Sequence, residues 1–294
     1  MTYTLLLDTS SLMYRAFFAL PPTIVDGEGR PVNAVHGYLD MTARLQTVYR
    51  PDRIVHVFDH DWRPAQRVAV YPGYKAERPD DPPSLPPQFD LLREVLQAFG
   101  APLAEAPGWE ADDAVGALCV REEANALVDI VTGDRDLLQL VRDNNGAATV
   151  RVLLPVRGVG ELAVFDPDAV KTKYGVPPER YVDFATLRGD PSDGLPGVKG
   201  IGEKTARTLV AKYPDLHALL ADVAALPPRI GASLREAGPY LAAMQQVVPI
   251  RTDVAVQLTE AERDDARLAD LGARYRLAGA IARLRTAMEA LNHP

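Results

Sequence analysis

Cysteine is almost missing. The one thiol in 294 residues, Cys119, excludes an intrachain disulfide, and no Cys/His pairs stand at the spacing of a zinc site. Histidine is as thin: five scattered residues give no Ser-His-Asp pattern for nucleophilic catalysis, and lone ones such as His36 and His56 read as structural. No stretch approaches the roughly 18 apolar residues of a membrane helix. The start MTYTLLLDTS has neither the basic region nor the apolar length of a signal peptide. These absences predict a cytoplasmic protein with no membrane contact, and a hydrophobic content of 47% is ample for one large domain or two modest ones. Positive charge is also scarce. A net charge of -8 argues against a nucleic-acid partner, because Lys and Arg make most phosphate contacts. Its distribution reverses that reading. If nine acids, Asp8, Asp59, Glu110, Asp112, Asp113, Asp134, Asp136, Asp190 and Asp193, gather in one place, the rest of the surface is close to neutral, and bound cations would make it more positive.

Short apolar runs, TLLLD (4 to 8), RIVHVFD (53 to 59) and LVDIVTGD (127 to 134), alternate with helical patterns such as NAVHGYLDMTARLQTVY and QFDLLREVLQAF, the second stopped by Gly100. That alternation predicts an α/β fold with a mainly parallel central sheet over residues 1-165. Beyond about 165 strands thin out and helical segments dominate, ending in RYRLAGAIARLRTAMEALN, so 166-294 reads as a helical region. The stretch RPDDPPSLPPQ (78 to 88) can propagate neither a helix interior nor a central strand. An excursion from one domain is favoured over a domain boundary there, since a linker would divide the sheet after two strands.

Each of the three runs ends in aspartate: Asp8, Asp59 and Asp134. In open α/β sheets the ligand crevice lies beyond the carboxyl ends of the strands, so these side chains should converge on one edge. Crowded carboxylates repel one another unless a cation intervenes, and hard oxygen donors favour Mg2+ or Mn2+. EADD (110 to 113), DRD (134 to 136) and GDPSD (189 to 193) supply further acids within reach of that edge. Any one of them could simply cap a helix or make a turn. The set as a whole is harder to explain that way. Other acid or phosphate motifs fail on single residues: Ser10 stands where a haloacid-dehalogenase-like phosphatase wants a second aspartate, and Glu203 interrupts the Gly-Lys-Thr of a P-loop.

In LPGVKGIGEKTARTLV, residues Gly197, Val198, Lys199, Gly200, Ile201 and Gly202 form a glycine-rich turn before a helix that begins near Glu203, with Lys204 and Thr205 in its first turn. Exposed amides at such a turn grip phosphate without reading bases. Residues 195 to 214 hold four cations against one acid. The pattern is a helix-hairpin-helix, at about 186-213. A second basic stretch, 61 to 78, carries Arg63, Arg67, Lys75 and Arg78 with Trp62, Tyr71 and Tyr74 interleaved. Cations for phosphates and aromatic faces for unpaired bases suit a single strand, although a solvated loop with packing aromatics has the same composition.

From LLLDTSSLMYRAFFAL through VFD, YKAER, GWEADD and TGDRDLLQL to GDPSDGLPGVKGIGEKTA, the chain resembles the 5' nuclease family: the 5'-3' exonuclease domain of bacterial DNA polymerase I with its phage and flap-endonuclease relatives. The resemblance spans roughly 4 to 255. It implies a PIN-like nuclease core, a helical arch inserted at about 61-88 through which a 5' single strand passes, and a C-terminal helical region that binds duplex DNA and closes the metal site. By position it implies that Asp8, Asp59, Glu110 and Asp112 serve one divalent ion and Asp136, Asp190 and Asp193 the other. Asp134 falls between them and Asp113 in the outer shell. Arg15, Lys75 and Arg78 would lie near the scissile phosphate, with Tyr74 beside Lys75, and Arg67 in the same basic segment would touch DNA. The hairpin would also hold K+.

The resemblance thus implies a metal-dependent 5'-3' exonuclease and flap endonuclease acting on DNA 5' ends, flaps and junctions, monomeric and nucleoid-associated, with no polymerase domain following. Gly194 stands where relatives usually carry Asn, and the arch is unusually rich in proline. Two other readings remain at this point: a junction-binding protein whose acids hold a structural metal, and a PIN-like ribonuclease, against which the hairpin speaks.

Overall fold

The three apolar runs become three adjacent strands, because each is buried on both faces as a parallel strand in a two-sided core must be. The computed structural model describes residues 2–290, so Met1 and the last two residues of the expected C-terminal helix pattern, Leu291 and Asn292, lie outside the described residues. The strands are β1 (Tyr3–Asp8), β2 (Arg53–Val57), β3 (Leu103–Glu105), β4 (Leu127–Val131), β5 (Thr149–Pro155), β6 (Leu162–Phe165) and β7 (Gln257–Thr259). They form one seven-stranded sheet in the order β6-β5-β4-β1-β2-β3-β7. The five inner strands are parallel and the two edges antiparallel. From β1 the chain winds outward both ways, to β2 and to β4, which makes the carboxyl end of β1 the switch point where a crevice opens.

Strand alternation divides the interior in two. Leu6, Val55 and Val57 face one core, with the helices Ala111–Arg121, Tyr181–Arg188, Glu203–Lys212 and Gly238–Val247. Leu5, Leu7 and Ile54 face the other, with Thr9–Ala19, Asn33–Tyr49 and Pro86–Ala98. The segment at 61-88 is an excursion: the strands before and after it, β2 and β3, pair directly in the same sheet. Its only helix among the described residues before Pro86 is Ala65–Val70, and turns carry the chain from Tyr71 to Leu85, as the prolines dictate.

The end of the chain departs from the expected division at 165. β7 pairs antiparallel with β3, and the helices Asp265–Arg274 and Ala278–Glu289 return to the α/β core. Leu268, Leu271, Ile281 and Leu284 bury beside Val35 and Tyr38, and Arg283 reaches Asp40 at 2.8 Å. Amphipathic spacing announces those helices, but nothing local says which surface their apolar stripes cover. β3 and β7, three residues each, are too short for periodicity to reveal.

Candidate metal and nucleic-acid site

Asp8 ends β1 and turns back to cap the next helix, its Oδ1 accepting from the Ser11 backbone at 3.1 Å and its Oδ2 from Thr132 Oγ1 at 2.6 Å. Asp59 lies two residues past β2 and Asp134 three past β4, so neither ends a strand as the sequence pattern suggests. Asp59 accepts from the Ala111 backbone at 2.7 Å and from the Ser10 hydroxyl, which ties the carboxyl end of β2 to the start of the Ala111–Arg121 helix. Burial and the nearby Asp59 and Asp134 raise Asp8 to about 7. Burial, then Asp134 and Asp8, push Asp112 well above the carboxylate range. Burial, then Asp134, Asp193 and Asp190, do the same to Asp136. Asp134 is raised by burial and by Asp193 and Asp190. The repulsions therefore fall into two overlapping sets, Asp8 with Asp59 and Asp112, and Asp136 with Asp190 and Asp193, with Asp134 acting on both.

Among the described residues no three His, Cys, Asp or Glu side chains are gathered closely enough to hold an ion. Several acids are instead satisfied by the protein itself. Glu110 accepts from Arg67 at 2.5 Å and Tyr74 at 2.8 Å, and from Lys75. Asp193 accepts from Arg78 at 2.6 Å. Asp190 accepts from the Ser192 hydroxyl and backbone at 2.6 and 3.0 Å and lies within 3.9 Å of Arg135. Asp8, Asp112 and Asp136 are each raised by Asp134, none of these four has a side-chain cation bonded to it among the described residues, and this all-oxygen set fits hard divalent cations by its chemistry.

Asp113, expected in the outer shell, is wholly buried, and both its oxygens accept from Arg67 at 2.7 Å, so it faces no ion directly. Two expectations change. Arg67, expected on DNA, is correspondingly buried and has no free donor for a phosphate. Tyr74 is buried with its hydroxyl on Glu110, so its ring is not available to unpaired bases. Each follows from the excursion folding down against the Ala111–Arg121 helix instead of standing clear of it. Gly194 permits a second close approach, of the excursion onto the turn at Pro191–Asp193: it sits at φ +70°, and a Cβ there would meet the Gly73 carbonyl oxygen at 2.4 Å. The Lys75 backbone donates to Asp193 O at 2.9 Å while Lys75 itself holds φ +51°, a conformation unfavourable for a side chain of its size.

An open cleft of about 1130 Å3 has Asp8, Asp59, Glu110, Asp112 and Asp134 along its lining, with Arg15, Lys75 and Arg78. Among the described residues all three aromatics with large exposure, Tyr14, Phe18 and Trp62, line this one cleft. Away from it, Tyr181–Arg188 and Glu203–Lys212 flank the hairpin. Val198 and Ile201 are buried anchors, and Lys199, Gly200, Gly202 and Lys204 are exposed, with Thr205 half-buried. Gly197 is needed where its backbone crosses Arg188, since a Cβ there would meet the Arg188 carbonyl oxygen at 2.4 Å. Its N–H donates to Tyr240 Oη at 3.2 Å.

Some functional positions had no legible signal. Thr132 donates to Asp8 and accepts from the Asp134 backbone at 2.9 Å, linking two of the strand ends. Its place two residues before Asp134 was the only hint. Arg229 lies 3.9 Å from where a side chain at Gly200 would begin, which adds a cation to the hairpin from a helix that the sequence leaves unconnected to it.

Two family models match the chain: the N-terminal resolvase-like domain of 5'-3' exonuclease over residues 3–175 and the C-terminal SAM fold of 5'-3' exonuclease over 176–269. A 5'-3' exonuclease from Streptomyces coelicolor is 46% identical over 97% of this chain and 100% of its own length. DNA polymerase I from Mycobacterium bovis is 44% identical over 79% of this chain, a match that takes in 25% of the polymerase. The fold is shared with the phage T5 flap endonuclease, solved in complex with DNA and metal ions, at a TM-score of 0.65 and 16% identity over 99% of this chain and 100% of that one. The chain is therefore a nuclease that belongs to the 5'-3' exonuclease family.

Proposed function

We propose that this exonuclease hydrolyses DNA phosphodiester bonds at or near 5' ends and at junctions between single and double strands, using two divalent cations. The observation that carries the reading is the floor of the cleft, where Asp8, Asp59, Asp112 and Asp134 crowd below a wall of Arg15, Lys75 and Arg78, and the same Asp134 also raises Asp136. Asp8, Asp59, Glu110 and Asp112 would hold one ion and Asp136, Asp190 and Asp193 the other, with Asp134 between. Asp113 is left out because Arg67 already satisfies it. Bound there, Mg2+ or Mn2+ would supply activation of the attacking water and neutralisation of the departing 3' oxygen. Lys75 and Arg78 rest on Glu110 and Asp193, near enough to the floor to turn onto the non-bridging oxygens of a phosphate and offset its developing charge.

The hairpin is suited to the duplex: Lys199 and Lys204, with Arg229 beside Gly200, would hold the backbone without reading sequence. Tyr14, Phe18 and Trp62 offer stacking faces to unpaired nucleotides entering the cleft. The test is cleavage of an end-labelled 5'-flap duplex with Mg2+, Mn2+ or EDTA, alongside Asp134→Ala. Metal-dependent cuts that the variant loses support the reading. Tight binding without cuts under every condition would point instead to a junction-binding protein, and a preference for RNA of the same shape to a ribonuclease.

A further inference from the structure

Arg67 has an unusual position for a residue at the base of a nucleic-acid arch. Its side chain is 5% exposed, and each of its five N–H groups has a partner. Nε donates to Val247 O at 3.0 Å, and Nη2 to Pro249 O at 3.3 Å and Asp113 Oδ1 at 2.7 Å. Nη1 donates to Asp113 Oδ2 at 2.7 Å and Glu110 Oε2 at 2.5 Å. The rings of Tyr74 and Trp109 flank the guanidinium, each at 5.9 Å. Asp113 Oδ1 also accepts from the Arg251 backbone at 2.9 Å. One side chain thus joins three parts of the chain: the arch helix Ala65–Val70, the start of Ala111–Arg121 with its acid Glu110, and the end of the Gly238–Val247 helix with the turn that follows it.

That last helix leads to the hairpin. Tyr240, near its start, donates to Thr186 O at 3.1 Å and accepts from the Gly197 N–H. Its ring also meets that of Tyr71, three residues from Tyr74, at 6.2 Å in an edge-on contact. The arch base therefore touches the helix at both ends, through Tyr71 at the hairpin side and Arg67 at the other.

We infer that Arg67 is a positioning residue that sets the direction of Glu110 and locks the arch base to the helix carrying the hairpin, so that duplex held at the hairpin and the acid at the cleft share one rigid support. A guanidinium is required, because its planar fork spans Asp113 and still reaches two carbonyls. An ammonium has three donors on one point and cannot make that set. The part concerning catalysis rests on the proposed nuclease function; the locking of the arch does not.

The inference is tested with the full chain, comparing Arg67→Met and Arg67→Lys with the parent. In EDTA, trypsin should cut after the buried Lys75 at least about tenfold faster in both variants, because cutting there requires the arch base to open and trapping follows the open population. Arg63 and Arg78 precede proline and are not competing sites; position 67 stays cleavable in the parent and in Arg67→Lys, so the fragment ending at Lys75 is scored by its mass. On a flap substrate, kcat should fall by up to about 100-fold from the displaced acid, with KM changed little, and Lys should not rescue. If Arg67→Met does not fold, Arg67→Lys alone carries both readouts. Parent-like cutting after Lys75, or rescue of kcat by lysine, overturns the inference. A parent that never cleaves DNA would defeat the proposed function and leave the proteolysis result to decide the lock.

Discussion

Without divalent ions, the carboxylate floor should make this protein less stable as pH rises from about 5 to about 7.5, opposite to the usual effect of paired carboxylates. Asp8 is 5% exposed and is raised from an ordinary 3.8 to about 7 by burial and by Asp59 and Asp134. Across that window the folded state keeps the Asp8 proton and the unfolded state has released it, so ν_U is below ν_N and stability falls with pH. The fall begins near the ordinary carboxylate value and ends once pH passes the folded value. At about 1.4 kcal/mol for each tenfold change in proton affinity, the part lying between pH 5 and 7 is on the order of 3 kcal/mol for this one group. Asp112, Asp134 and Asp136 are raised as well and add with the same sign. The assay is urea unfolding in EDTA at the two pH values, with Asp8→Asn as the control for every other titrating group. Asp8→Asn should unfold at higher urea than the parent at pH 7.5 and gain little at pH 5, and added Mg2+ should stabilise the parent more than the variant at pH 7.5. A parent whose stability is flat or rising across the window, with Asp8→Asn no more stable at pH 7.5, would refute the repulsive floor.

Replacing Lys199, Lys204 and Arg229 together by glutamate should weaken duplex binding equally across unrelated sequences and make the salt dependence shallower by about 0.9 per lost phosphate contact. Anisotropy titrations over a salt series measure this, and a sequence-dependent loss would count against backbone binding. Trp62→Ala and Phe18→Ala, taken singly, should weaken binding of a duplex with a 5' overhang by about 1–3 kcal/mol for each stacked base while leaving blunt duplex unaffected. Equal losses on both DNAs would remove the stacking role.

Much of the site was legible because it is written in short, contiguous motifs. Three apolar runs gave the central strands, and the acids that follow them had to lie at one sheet edge once the runs were parallel neighbours. The hairpin was legible for a similar reason: Gly197 and Gly200 at positive φ, then a helix start, are local requirements of a tight turn. β5 and the two short strands β3 and β7 were not, because three residues carry no period and TVRVLLP mixes charge into its alternation. The proline-rich stretch at 78 to 88 could be seen to resist regular structure, but the excursion at 61-88 could not be seen to fold back onto Glu110 and Asp113.

Sequence alone determined the α/β character, the inventory of nine acids, the hairpin and the family resemblance that the comparisons bear out. Each depends on residues a few positions apart, where propensity, capping and turn geometry act. Tertiary structure decided which acids have a protein counterion and which do not. Arg67 meets Asp113 across 46 residues, Lys75 meets Glu110 across 35, and Arg78 meets Asp193 across 115. It also returned the C-terminal helices to the nuclease core and left Asp8, Asp112, Asp134 and Asp136 without a bonded side-chain cation among the described residues. The physical reason is that an acid and a base attract at any sequence separation, and only the packed chain fixes which of them come within reach.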